Sequence, residues 1–386
     1  MLIKNAHIYT MEPEAGGTDP LRGDILIRDG KIIRVGPTEP AGGLNDGAGE
    51  IFDASSYTVI PGLIDASSKL GLRASGMRWE GNEINEESEN NIAGLSTLDG
   101  LHPLDETFRE AARGGITAAV IGSGERSVIG AQSAAVKVKQ KAVDSITLDP
   151  FTDLSVTLGN HVKRLNDRGE FPRSRMGIAA ILRRAFKDAE AYGNTKIRGG
   201  IDEKSYDPQS EAMLRVLDRQ VPLKITAYRG EDILTAIRIR DEFAVDIILN
   251  QCLEGYKALD EIAGRNIPVI VGQYLTPIDD DEARGRRLDL PAELHRRNIP
   301  IAFSTHVETL GYSFLRINAA LAVKNGLPEY EALKALTINP ARFYRLEGCI
   351  GSLKASKDAD LLILDGHPLY SMTRVLKTMI DGVFCE

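Results

Sequence analysis

Short runs in which apolar and polar residues alternate occupy the two ends of the chain, and longer apolar runs occupy its middle. Near the start, Ile25-Leu26-Ile27-Arg28-Asp29-Gly30-Lys31-Ile32-Ile33 reads as a hairpin, because Asp-Gly supplies the positive φ values of a tight turn. The same device returns in Val375–Phe384 around Asp381-Gly382. Two β-rich ends predict one small β-sandwich built jointly from residues 1–58 and 346–386. The middle alternates apolar strands, such as Ile116–Ile121, Leu154–Leu158, Pro222–Thr226, Asp246–Leu249, Ile267–Val271 and Ile299–Phe303, with helix-like runs such as Glu231–Phe243. That rhythm predicts a distorted (β/α)8 barrel over residues 59–345. An open doubly wound sheet shares the rhythm but is the weaker reading, since no G-x-G-x-x-G motif opens a helix. The Glu- and Asn-rich stretch Ala74–Asn91 reads as a long loop over the barrel mouth.

At 386 residues the chain is long enough for a barrel of roughly 250 residues plus a satellite domain. Its 42% hydrophobic and 26% charged content suits a globular protein rather than a disordered or fibrous one. A formal charge of −8 offers no basic face, which argues against nucleic acid or an anionic membrane as partner. No stretch approaches the ~18 apolar residues of a membrane span, and Met1–Ile8 reads directly as a strand rather than as a secretory leader. Cys252, Cys349 and Cys385 are widely spaced and form no CxxC pair, as in a reducing compartment. A cytoplasmic protein is expected.

One segment carries the most chemistry. Val59-Ile60-Pro61-Gly62-Leu63-Ile64-Asp65-Ala66-Ser67-Ser68-Lys69 resembles the first barrel strand of the amidohydrolase superfamily. Asp99–Asp105, Ala111–Val120, Ser127–Gln132 leading to Lys137, Ser174–Gly177, Leu336–Ala341 and Gly351–Leu361 resemble other segments of the same superfamily. The chain is similar to that superfamily nearly end to end, and within it to the relatives of imidazolonepropionase. The resemblance implies a metal-dependent hydrolase of C–N bonds in cyclic amides. Its ligands would be His-x-His after strand one, a bridging lysine or carboxylate, a histidine after each of strands five and six, and an aspartate after strand eight.

At the matching positions this chain carries other residues. Ser67 and Lys69 replace the His-x-His pair; Thr226-Ala227-Tyr228-Arg229 stands at strand five; Gln251 stands at strand six, ahead of Glu254; and Thr305-His306 stands after strand eight. Lys137 alone matches, as the bridging-lysine candidate. A serine hydroxyl is a weak ligand and an ammonium repels a dication, so the expectation is no bound metal and no other cofactor. His7, His102, His161, His295 and His367 are read as satisfied or surface histidines at element junctions, in a helix or in the sandwich.

If the barrel register holds, Lys69, Ser67, Lys137, Thr226, Tyr228, Arg229, Gln251, Glu254 and His306 line the mouth, with Lys69 and His306 as the candidate catalytic pair. Lys69 is expected to project into the mouth near a carboxylate or toward Lys137. The expected function is an impaired amidohydrolase homologue that serves as a binding or assembly subunit, as a homo-oligomer or beside an active paralogue, with a small molecule in the mouth. The alternative is an active hydrolase of a cyclic amide or N-acyl compound with a metal-free or altered site.

Overall fold

A computed structural model describes residues 1–12, 18–38, 49–163, 172–200, 205–272, 274, 281–305 and 311–385. Five strands come first: β1 (Leu2–Ile8), β2 (Leu21–Arg28), β3 (Lys31–Pro37), β4 (Ile51–Asp53) and β5 (Thr58–Pro61). Eight more form the barrel sheet: β6 (Leu63–Ser68), β7 (Ile116–Ile121), β8 (Ile129–Lys137), β9 (Thr147–Thr157), β10 (Leu223–Ala227), β11 (Ile247–Gln251), β12 (Val269–Val271) and β13 (Ile301–Phe303). The last three are β14 (Leu361–Leu364), β15 (Val375–Ile380) and β16 (Val383–Phe384).

Both chain ends share one sheet, ordered β16-β15-β14-β5-β1-β2-β3, with β4 beside β1. The join is β14, which lies antiparallel to β5 in the register Leu361↔Pro61. Both Asp-Gly hairpins form as the sequence predicts, with positive φ at Asp29 and Gly30 and again at Asp381 and Gly382. The two turns meet: a Cβ on Gly30 would lie 2.9 Å from the Asp381 carbonyl oxygen, so the contact requires glycine there.

The barrel sheet runs β6 to β13 in sequence order, and all neighbours are parallel except at β8. β8 is antiparallel to both β7 and β9. Only Gly122–Val128 separates β7 from β8, too short for the helical crossover that a parallel return needs. The sheet is nearly closed. Asp65 on β6 bridges to the second residue past β13, accepting the Thr305 backbone N–H at 3.0 Å and its hydroxyl at 2.5 Å. Helix 230–243, beginning at Gly230, occupies the run expected at Glu231–Phe243.

Alternate residues sort the strands into two faces. Leu63, Ile121, Leu249 and Phe303 belong to the large core between strands and helices. Ile64, Ala66, Ala118, Val120, Ile248, Ile270 and Ala302 form a separate cluster inside the barrel. Tyr344, just past the helix Ile338–Phe343, plugs this interior and donates its hydroxyl to the Ala66 carbonyl at 2.6 Å. Burial holds that hydroxyl well above its ordinary pKa.

Candidate functional site

The C-terminal ends of the parallel strands define the mouth, and β6 reaches it with an irregularity. Asp65 pairs with Ala119 and Ser68 with Ile121, so three residues of β6 advance against two of β7. This bulge changes the phase of the alternation before the strand ends. Asp65 turns toward Thr305, and Lys69 turns into the mouth, where its ammonium donates to the carbonyl oxygens of Gly122, at 2.9 Å, and Ser123. Lys69 is 5% exposed. The partners of Lys69 among the described residues include these two main-chain carbonyls at the end of β7. Ser67 is buried and its hydroxyl has no partner.

Lys137 is corrected. Because β8 is reversed, its final residue lies opposite Ala118 near the start of β7, at the far end of the barrel from the mouth. There its ammonium meets Asp358 at 2.8 Å, Asp360 at 2.5 Å and Asp381 at 3.0 Å. Burial alone would lower the Lys137 pKa; the charge of Asp360 and the hydrogen bonds to Asp358 and Asp360 overcome it and raise the value. His306, the other half of the proposed pair, falls outside the described residues.

Thr226, Tyr228 and Arg229 lie at or just past the end of β10, and Gln251 and Glu254 at or just past the end of β11. Thr226 is buried on β10 and its hydroxyl accepts from the Asn250 amide at 2.9 Å. Tyr228, two residues on, donates its hydroxyl to Glu125 at 2.8 Å and packs against the His161 ring, centroids 5.0 Å apart. Arg229 sits at the N-cap of helix 230–243 with its Nε 2.9 Å from Glu231. Glu254 accepts the Gly230 backbone N–H at 2.9 Å and pairs with Lys257 at 2.8 Å. Burial pushes the Glu254 carboxyl up, but the bonds from Lys257 and Gly230 outweigh it and the pKa falls. Gln251 ends β11 at φ +67°, in the left-handed region that few residues other than glycine adopt, and both polar atoms of its amide are buried without a partner.

Sequence reasoning missed three features. Glu125 comes from the β7–β8 loop and His161 from the loop after β9; their side chains approach to 4.0 Å beside Tyr228. The usable signal was position, since His161 closely follows a strand end, where barrel sites are built. Beneath the mouth, Lys224 on β10 meets Asp153 on β9 at 3.1 Å, and Ser133 bonds both, at 3.1 Å to the ammonium and 2.8 Å to the carboxylate. Gly122 is the third. A Cβ there would stand 2.7 Å from the Ser133 hydroxyl and 2.9 Å from the Lys224 ammonium, while its carbonyl holds Lys69.

The family model of the amidohydrolases matches residues 58–386. This chain belongs to the amidohydrolase family. An amidohydrolase from Thermotoga maritima, known by crystal structure, is 31% identical with a TM-score of 0.92, over 99% of this chain and 98% of that one. Amidohydrolase tasK of Hapsidospora irregularis is 26% identical over 99% of this chain and 42% of its own length. A 5'-deoxyadenosine deaminase of Methanosarcina mazei is 37% identical over 72 residues, 19% of this chain and 15% of its own. The chain thus spans less than half the length of these curated relatives.

The resemblance implies a divalent metal, and the described residues of the mouth do not fit one. Where the paired histidine nitrogens would stand there are a hydroxyl and an ammonium, and a second ammonium, that of Lys224, lies on the other side of Gly122. Among the described residues, the one group of three metal-ligating side chains is Asp358, Asp360 and Asp381, at the far end and held by Lys137. Among the described residues no helix is long and apolar enough to cross a membrane.

Proposed function

We propose that this chain is an amidohydrolase-fold protein that has given up metal-assisted C–N hydrolysis and serves as a small-molecule-binding or assembly subunit in the cytoplasm, as a homo-oligomer or beside an active paralogue. The observation that carries the reading is the Lys69 ammonium, fixed on two carbonyls at the position where the resemblance puts a metal-binding histidine. A fixed cation at that spot opposes a dication through Coulomb repulsion in a medium of low effective dielectric. Placement among imidazolonepropionase relatives rests on the motif segments Leu336–Ala341 and Gly351–Leu361. Three free cysteines support a reducing compartment.

Elemental analysis of protein made in metal-supplemented medium tests the reading. The expected result is zinc, iron and manganese each far below one ion per chain. One chelator-resistant ion per chain would overturn it.

A second reading keeps catalysis without metal, and the cluster of Glu125, Tyr228 and His161 favours it. A carboxylate within reach of an imidazole, oriented by a tyrosine hydroxyl, can take up and return a proton during amide cleavage. Turnover of a cyclic amide by chelator-treated protein that disappears in Glu125→Gln would establish that version.

A further inference from the structure

A cavity opens at the end of the barrel away from the mouth. Pro222, Asp246, Pro268 and Pro300 are the residues immediately before β10, β11, β12 and β13, and all four line one space of about 390 Å³. It therefore lies at the N-terminal ends of the parallel strands, whereas barrel active sites are built at the C-terminal ends. Its prolines give it an apolar wall. Their carbonyls accept from Leu154, Leu249 and Val269 on the neighbouring strands, at 3.1, 3.0 and 2.9 Å, and proline has no N–H to offer. Ile267 and Phe343 extend that wall.

Arginine dominates the charged part of the lining. Arg240, Arg265, Arg342 and Arg345 line the cavity against one carboxylate, that of Asp246. In a chain of net charge −8 this is a local reversal of sign. A cation in the last turn of a helix answers the helix dipole, which accounts for Arg240 and Arg342 singly. It does not account for four guanidiniums around one space. Asp241, outside the lining, serves two of them, Arg240 at 2.8 Å and Arg265 at 2.7 Å. Arg345 donates to the main-chain carbonyls of Gln220 and Arg219. Among the described residues the Arg342 guanidinium has no hydrogen bond and no ion pair. Four guanidiniums against two carboxylates leave two positive charges in excess.

We propose that this cavity binds a phosphate group, as free phosphate or as the ester of a small apolar body, with Arg342 as the donor that gains a partner. The excess charge matches a dianion, and the planar guanidinium fork matches phosphate oxygens two at a time. A carboxylate would leave one charge unanswered. The wall of proline rings and Phe343 gives an ester a surface on which to bury its apolar body. The site goes beyond the reading of the mouth and does not depend on it, since its lining lies at the opposite ends of the strands.

Calorimetric titration of the full chain provides the test, in phosphate-free buffer of low salt at about pH 8, where a phosphate ester is a dianion. The probes are inorganic phosphate, phenyl phosphate and benzoate. Phenyl phosphate is expected to bind about ten-fold more tightly than benzoate, the factor that one further charge-assisted bond supplies. Arg342→Gln should weaken both phosphate probes about ten-fold, while Lys69→Met, at the mouth, should leave them unchanged. Should Arg342→Gln fail to fold, Arg240→Gln, which leaves Asp241 paired with Arg265, should show the same loss. Phenyl phosphate binding more tightly than inorganic phosphate identifies an ester as the ligand, and the reverse order identifies free phosphate. Absence of phosphate binding, benzoate binding as tightly as phenyl phosphate, or phosphate affinity that falls in Lys69→Met and not in the arginine variants would overturn the proposal. None of these results bears on whether the mouth holds a metal, which elemental analysis decides separately.

Discussion

Lys69 and Lys137 are buried lysines at strand ends of one barrel, and they are held in opposite ways. Lys137 is surrounded by three carboxylates, of which Asp358 is also paired with Lys31, and Asp381 with Lys139. Those carboxylates lie just before β14 and in the β15–β16 turn, so the network fastens the reversed strand of the barrel to the terminal sheet. The described partners of Lys69 are two carbonyl dipoles. Three carboxylates around one ammonium mark a structural joint; at the mouth the Lys69 ammonium is seated on the end of β7, and the Ser67 hydroxyl two residues before it bonds nothing in the protein.

The largest expected effect is at the joint. Asp360 is buried, and Lys137 is the cation that faces it. Burial already pushes the Asp360 carboxyl pKa up, with Lys137 opposing. Lys137→Met should therefore destabilise the protein by about 3–5 kcal/mol, the cost of stranding one member of a buried pair, as read by urea unfolding at pH 7. The sign with pH is also fixed. A carboxyl whose folded pKa is raised contributes stability at low pH that is lost as pH rises through that value. The deficit of the variant should accordingly shrink on acidification, and Lys137→Met/Asp360→Asn should recover part of it at pH 7. A loss under about 1 kcal/mol would mean that the joint holds nothing together.

How this network went unread in the sequence is instructive. The Asp-Gly turns, the shared terminal sheet and helix 230–243 were all legible, because each rests on local spacing or turn chemistry. The reversal of β8 was not, since an apolar run such as Ile129–Lys137 has no direction written in it, and only the short β7–β8 connection hints at it. Lys137 was consequently assigned to the wrong end of the barrel. At the mouth, counting from Asp65 assumed an unbroken alternation, whereas β6 runs through a bulge between Asp65 and Ser68 that simple alternation does not contain. Glu125, His161 and the Lys224–Asp153 pair come together only through barrel closure, and no spacing along the chain reveals them.

A smaller effect is expected at Lys69. Replacing it by methionine removes a charge that costs desolvation and leaves two carbonyls to lose their donor, so the terms partly cancel. Lys69→Met should cost about 1–2 kcal/mol in the same unfolding measurement, on the scale of lost hydrogen bonds. The contrast between the two ends depends on the ordering: a Lys69→Met loss equal to that of Lys137→Met would show a neutralising partner at the mouth and would blur the distinction between joint and site.

The finest test is the strain at Gln251. Its φ of +67° is followed by +47° at Cys252, two consecutive left-handed residues at the end of β11, neither of them glycine. Such a conformation costs of order 1–3 kcal/mol and persists where the surroundings over-determine it. Here the kink coincides with a buried amide that bonds nothing in the protein. If fold stability alone governed the position, glycine would serve better, since it adopts the left-handed region freely and buries no polar group, against an entropy penalty of roughly 0.5–1 kcal/mol. Gln251→Gly should therefore stabilise the chain by about 1 kcal/mol in thermal and urea unfolding, the excess of strain relief over that entropy. Stability gained would show that the end of β11 keeps a strained residue for something other than the fold. A destabilised variant would return Gln251 to the fold.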